Sequence, residues 1–257
     1  MAEHFKGWAK SEIFSETSVP LETPFFVRLD GWRFRALAEQ IGVEKPFDER
    51  FAQCLVSSGK TLFEKGFGPT LIYVVSDELN ILFDGEAHFN GRVEKIDSVV
   101  PSLVSSAFSL QFQKSFGKTV AVAFDSRIII VKNDEKILDY LNWRQTNAWR
   151  NHNNAYAYWL FRKMGYKPPE IAKKLKGMKT EEIHKMLLEH GVNLAETPPW
   201  QRRGILIHKE PYRKRIANQS VTRWKIAENW DLPLFSSEEG TKLIRQILGW
   251  MRRKRRT

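Results

Sequence analysis

Short apolar runs recur along this chain in an order that few folds accommodate. One run is followed by two helical stretches, then two runs back to back, a long helical stretch and a further run. Residues 25–29 read as a strand, and helical periodicity follows from Trp32 to Gln40, with Phe34, Leu37, Ala38 and Ile41 on one face. Lys45-Pro46-Phe47-Asp48 opens a second helix with Asp48 as its N-cap; it runs to about Lys65 and ends at Gly66 or Gly68. Leu71–Val75 and Leu79–Phe83 read as two strands around Ser76-Asp77-Glu78. Ser98–Phe116 reads as a helix, then Val120–Phe124 and Ile128–Val131 as strands broken at Asp125-Ser126-Arg127. This is the split βαβ order of ferredoxin-like folds, which include polymerase palm domains. The expected class is α+β: an antiparallel palm-like sheet with a helical C-terminal half.

That second half reads as a long helix from Asp134 to about Arg162 and two shorter ones, Pro169–Leu175 and Thr180–His190, joined at Gly177. Ile205–Ile207 is a short strand. A last helix starts near Ser237, with Glu238 and Glu239 in its first turn and Leu243, Ile244, Ile247, Leu248 and Met251 as its apolar stripe. The expected organisation is a palm catalytic region over residues 1–135 and a helical, basic, RNA-binding region over 136–257, packed as one unit.

Two acidic positions stand at strand ends: Asp30 before Gly31, and the pair Asp77-Glu78. In the split topology the first and third strands are neighbours. Carboxylates 47 positions apart then meet at one edge of the sheet. A bare carboxylate at a strand end is poorly placed for packing and well placed for a hard cation, and two of them suit a pair of Mg²⁺ ions in nucleotidyl transfer. The plainer reading is two turn carboxylates, since Asp tolerates tight turns. Gly31 has no Cβ, so phosphates can approach the main chain there, and the amides opening the next helix form a phosphate cradle. No His–Ser or Cys–His arrangement suggests covalent catalysis through the protein.

Of the 257 residues, 42% are hydrophobic, with nine Trp and seventeen Phe, enough for a substantial core. No apolar run reaches a membrane span, and Met1–Lys6 lacks the apolar stretch of a signal peptide. The single cysteine, Cys54, excludes an internal disulfide and any multi-cysteine zinc site; a cytoplasmic location is expected. Net charge is +11 and unevenly spread. Residues 1–199 hold 26 basic and 25 acidic side chains; residues 200–257 hold 15 and 5 and end in Arg252-Arg253-Lys254-Arg255-Arg256. Such a skew suggests a polyanion partner, or else a solvated basic tail. The inner basic groups are interleaved with Trp200, Tyr212 and Trp224, which favours nucleic acid.

Val27-Arg28-Leu29-Asp30-Gly31 with Phe34, Lys45-Pro46-x-Asp48, Ser76-Asp77-Glu78, Phe124-Asp125-x-Arg127, Tyr140-Leu141-x-Trp143-Arg144-Gln145 and Pro199-Trp200-x-x-Arg203-Gly204 occur in this order. Together, over about residues 20–210, they resemble the tRNA-histidine guanylyltransferase family, including its like-protein branch of 3'–5' polymerases. The resemblance implies Asp30, Asp77 and Glu78 as catalytic residues. Two Mg²⁺ ions, with Mn²⁺ as a partial substitute, would be held by Asp30, Asp77 and the Gly31 carbonyl. It implies nucleotide binding by Gly31, Trp32, Arg33, Phe34, Lys45 and Ser76, and tRNA binding by Arg28, Arg127, Arg144, Arg150, Asn151, Asn154 and Arg203. It further implies ATP, GTP or other nucleoside triphosphates as substrates, the tRNA 5' end and acceptor stem as partner, and a homotetramer or dimer. The reaction expected is activation of a 5'-monophosphate with ATP or GTP, then attack by a nucleoside triphosphate's 3'-hydroxyl.

The chain departs from the family at Trp149 to Ala155. Trp149 stands where the eukaryotic members have a histidine, and Arg150, Asn151 and Asn154 look more like the like-protein branch, which repairs 5'-truncated tRNA. Templated repair is therefore expected, with addition of a single G to histidine tRNA as the alternative. Readings of another class are a nucleotide cyclase on the same palm, or a non-catalytic RNA-binding protein. His152 reads as a polar residue on an exposed helix face. Trp143, Trp149, Tyr156 and Trp159 read as core or subunit interface, and Trp200 as core or a stacking surface for RNA. His4, His88, His184, His190 and His208 show no metal-ligand spacing.

Overall fold

The computed structural model describes residues 11–85, 87–216 and 219–256. Met1–Lys6, with His4, and Thr257 lie outside the described residues. At its centre is a sheet of six strands in the order β4-β1-β3-β2-β5-β6. The strands are β1 (Phe25–Gly31), β2 (Leu71–Val75), β3 (Glu78–Phe83), β4 (Phe124–Ile130), β5 (Ile205–Ile216) and β6 (Gln219–Asn229), and every pairing is antiparallel. Strands β2 and β3 are buried along their whole length; β2 is an unbroken apolar run, while β3 carries the buried Glu78 and Asn80 among its apolar residues.

Helices cover both faces. On one lie α1 (Phe34–Ile41), α2 (Glu49–Glu64) and α3 (Val93–Phe116), whose Phe34, Leu55, Leu62, Val104 and Phe108 close over Val27, Leu29, Leu79, Ile72 and Ile207. On the other lie α4 (Asp134–Lys163) and α8 (Glu238–Arg256), where Ile137, Leu141, Ile244, Ile247 and Leu248 meet Phe26, Leu71, Tyr73 and Leu206. A third cluster joins the far half of α4 to α5 (Pro168–Leu175) and α6 (Thr180–Glu189) through Ala157, Ile183, Leu187 and Leu194. A short helix α7 (Pro199–Arg203) leads into β5.

Local signals account for most boundaries. Asp48 caps α2 as expected, its Oδ1 accepting from the Arg50 amide at 2.9 Å. The Glu170 and Glu182 carboxylates accept from the Lys167 and Lys179 amides, at 2.7 Å each, and start α5 and α6.

Three expectations are corrected. α3 starts at Val93, before Ser98, and continues through Pro101. β4 is one strand through Asp125-Ser126-Arg127, and residues 120–123 are not strand; at a sheet edge the outward positions are free to be polar. Ile205–Ile207 is only the first quarter of a 12-residue strand, and β6, read as no element at all, pairs with it from Leu206↔Asn229 to Ile216↔Gln219. From Lys209 onward the two strands pair only with each other. With both faces largely in water, they carry no apolar alternation to announce them.

Candidate active site

Asp30 stands on β1 in register with Glu78 on β3 and Asp125 on β4. Asp77 lies in the two-residue connection between the paired Val75 and Glu78. The Gly31 amide donates to the Asp77 carbonyl at 3.1 Å, lashing the end of β1 to this turn. The two carboxylates are thereby brought to one edge, as the topology implied. Burial, and then the charge of Asp30, push the Asp77 carboxyl up to about 6. The nearby arginines are committed elsewhere: Arg28 and Arg144 to Glu78, Arg127 to Asp125 at 3.3 Å. Two like charges that repel, without an internal cation between them, are the electrostatic condition that a hard divalent ion relieves. No group of three or more His, Cys, Asp or Glu side chains among the described residues is placed to hold a metal. The acidic oxygens here come from two residues, which leaves positions open for substrate oxygens.

Strain brackets the pair. Ser76, immediately before Asp77, has φ 55°, and Arg33, three residues after Asp30, has φ 58°. Left-handed backbone costs a non-glycine residue about 1–2 kcal/mol, and such residues cluster at functional sites. Arg33 precedes α1, whose start has no side-chain cap, so its first-turn amides are available to phosphate oxygens.

A cavity of about 490 Å³ opens beside Asp77, between the α1–α2 connection and α4. Lys45, Asp48, Ser76, Asn151, His152 and Trp159 are among its walls. The Lys45 ammonium sits 5.7 Å from the centre of the Trp159 ring, and burial lowers its pKa. Phe34 borders the cavity from the core, 3% exposed and packed among Phe51, Phe108 and Phe124. Gly31 is required for that packing, since a Cβ there would lie 2.5 Å from the Phe34 ring. The amides of Gly31 and Trp32 are used internally, on the Asp77 and Ala123 carbonyls, which moves the expected phosphate cradle onward to α1. Trp32 lies outside the cavity, 60% exposed, with the Arg33 guanidinium over its ring.

Several expected contacts are placed differently. Glu78 is buried and does not stand free beside Asp77: its Oε1 accepts from Arg144 Nε and Asn80 Nδ2, both at 2.8 Å. Tyr140 donates to Asn80 Oδ1 at 2.6 Å, so Glu78 pins α4 to the sheet. Arg28 and Arg144, expected at tRNA, therefore serve this buried carboxylate. Arg203, expected there too, braces the fold, donating to the Leu232 carbonyl at 2.9 Å while Tyr73 donates to its own carbonyl. Gly204 follows with φ 79° and ψ −171°, where a Cβ would meet the Tyr73 ring. Asn151 and Asn154 line the cavity, and Arg150 is exposed, donating to Asn147.

His152 is 1% exposed and not on an open helix face. Thr197 donates to the Leu194 carbonyl at 2.7 Å, so its oxygen accepts from His152 Nε2 at 3.0 Å. The ring is neutral, its pKa pushed down by burial to about 4. Gln201, bound by the Tyr156 hydroxyl at 2.7 Å, also lines the cavity and was missed. The α4 wall of the cavity, by contrast, is marked in the sequence by Ala148, Asn151, Ala155 and Tyr158 along one helix face.

This sheet and its carboxylate pair define a nucleotidyltransferase of palm-like fold. The family model described as tRNAHis guanylyltransferase matches residues 6–132, and that described as Thg1 C terminal domain matches 135–240. The chain belongs to the tRNA(His) guanylyltransferase family. It is 30% identical over 190 residues to the tRNA(His) guanylyltransferase of Candida glabrata, covering 70% of this chain and 80% of that one. It is 29% identical over 195 residues to the probable enzyme of Drosophila melanogaster, 74% of this chain and 67% of that one. In fold it is similar to a bacterial tRNA(HIS) guanylyltransferase (Thg1)-like protein solved in complex with ATP. The TM-score is 0.75 at 24% identity, covering 96% of this chain and 97% of that chain.

Proposed function

We propose that this nucleotidyltransferase adds nucleotides in the 3'–5' direction to the 5' end of tRNA, with the opposing strand as template. The observation that carries the chemistry is the Asp30–Asp77 pair, whose mutual repulsion no internal cation relieves and whose Asp77 stands in the cavity wall. Asp30, Asp77 and the Gly31 carbonyl would hold Mg²⁺, or Mn²⁺ in its place. Bound there, the ions would lower the pKa of an attacking hydroxyl and neutralise charge on the phosphates. The cavity would take a nucleoside triphosphate, with Lys45 and the start of α1 towards the phosphates. Bacterial relatives of this fold have been solved with ATP and with GTP, which supports either as activator. The RNA 5'-monophosphate attacks the α-phosphate of ATP or GTP, releasing pyrophosphate. The 3'-hydroxyl of the incoming triphosphate then attacks the activated 5'-phosphate and releases AMP or GMP.

Templating is supported by the replaced stretch from Trp149 to Ala155. Base pairing can select the incoming nucleotide, so the protein need only grip the RNA by backbone and shape. The β5–β6 hairpin is built for that, with exposed Arg213, Lys214, Arg215 and Arg223 around Tyr212. The test is competition among four nucleoside triphosphates on 5'-truncated tRNAs carrying each of four opposing bases. Addition that follows the opposing base is expected. If G is added whatever stands opposite, and only to tRNA with a histidine anticodon, the single-G reading replaces this one.

A further inference from the structure

A large aromatic ring stands in water on α4, next to the arginine that holds Glu78. Trp143 on α4 is 51% exposed, while its neighbours Tyr140, Leu141 and Gln145 are buried. Of the two readings made for it from the sequence, core or subunit interface, this exposure removes the core one. The Arg144 guanidinium lies over the indole, 4.7 Å from its centroid, and the Tyr140 ring meets it edge-on at 5.8 Å. Arg144 is itself fixed by its two bonds to Glu78, which sits directly opposite Asp30 across β1 and β3. The ring is thus held from behind by a chain that ends at the catalytic edge. The cavity lies on the Asp77 side of that edge, and Asn147 and Arg150, one and two turns along α4 from Trp143, lead towards Asn154 in its wall.

Resting on the function proposed above, we propose that Trp143 is the stacking platform for the 5'-terminal nucleobase of the RNA. The incoming nucleotide would occupy the cavity, and the RNA end would reach the carboxylates from the other side, where Trp143 stands. A terminal base presents a bare π-face that no neighbouring pair covers, and any base can stack, so a platform of this kind suits an enzyme that accepts different terminal nucleotides. Because Arg144 already fixes the indole, little side-chain freedom is lost on binding.

The test measures affinity for a 5'-truncated tRNA and for the same RNA with an abasic 5'-terminal nucleotide. Both are measured with wild type, Trp143→Ala and Trp143→Phe; thermal melting checks the fold, and sedimentation the oligomeric state. Trp143→Ala is expected to weaken binding of the intact RNA at least fivefold, and Trp143→Phe less than twofold. The abasic RNA should bind wild type with the same loss and show no further loss with Trp143→Ala. Unchanged affinity in Trp143→Ala, or losses that simply add, overturns the platform. A change in oligomeric state with RNA affinity retained overturns it in favour of a subunit contact. If Trp143→Ala fails to fold, Trp143→Leu and Trp143→Phe carry the same comparison. Turnover is scored separately: wild type that binds these RNAs in the pattern above but adds no nucleotide removes the proposed reaction and leaves the platform standing.

Discussion

At the scale of single residues, Asp77 and His152 show how burial sets charge. Asp77→Asn keeps the shape of the side chain and removes one of two repelling charges. It is expected to lower nucleotide addition at least a hundredfold, because a two-ion site that loses a ligand loses several kcal/mol of barrier reduction. The fold should be no less stable than wild type. Single-turnover assays with thermal melting check both; near-normal turnover in the folded variant removes the metal assignment. His152 is held neutral, with a folded pKa of about 4 against 6.5 for the free side chain. A depressed histidine pKa contributes stability that is complete above about 6.5 and is lost as pH falls towards 4, by up to about 3 kcal/mol. His152→Gln should therefore flatten the melting temperature between pH 6.5 and 4. A profile parallel to wild type in that window would show that other groups set the acid limb.

At the scale of elements, the basic C-terminus is no solvated tail. α8 runs to Arg256, with Met251 buried beneath it. Arg252 donates from Nε to Asp84 at 2.8 Å and through both terminal nitrogens to Asp134, joining α8 to the end of β3 and the start of α4. Asp84 is 7% exposed. Arg252→Ala leaves it without that partner and should cost about 2 kcal/mol in urea unfolding. Arg252→Lys should not restore the loss, since an ammonium cannot fork to two carboxylates. On the function proposed above, the exposed basic charge available to RNA is that of the hairpin. Replacing Arg213, Lys214 and Arg215 with Glu should weaken tRNA binding and lower the slope of log affinity against log salt by about 0.7–0.9 for each phosphate no longer neutralised. Turnover at saturating tRNA should change little; an unaltered slope would place the RNA elsewhere.

For the whole molecule, one sheet runs from β4, next to α4 in sequence, to β6 in the last quarter, and both cores draw on residues from each half of the chain. A chain ending at Gly204 would lack β5, β6 and α8. The edge of β2 would be bare, and Tyr73 and Leu71 would lose Leu206, Ile244 and Leu248. Such a fragment is expected to show no cooperative unfolding transition. A sharp urea transition by circular dichroism would show that the first 204 residues fold alone.

Local chemistry decided what depends on near neighbours. The apolar runs of β1, β2 and β3, the Asp48 cap and the stripe of α8 are contacts among residues close in the chain, or faces that periodicity marks. Asp30 and Asp77 were legible because each stands at the end of such a run and the order of elements brings the ends together. Tertiary packing alone decided the rest. Glu78, expected at the chemistry, and Arg28, Arg144 and Arg203, expected at tRNA, are charged side chains whose distant partners, on α4 and before α8, bury or brace them. His152 and Trp143 exchanged roles for the same reason: one is covered by Phe47 and Thr197, the other is left in water. Beyond Ile205–Ile207, the β5–β6 ribbon has no apolar face to mark it. Its hydrogen bonds come from a partner strand, and pairing is a property of two segments that neither displays by itself.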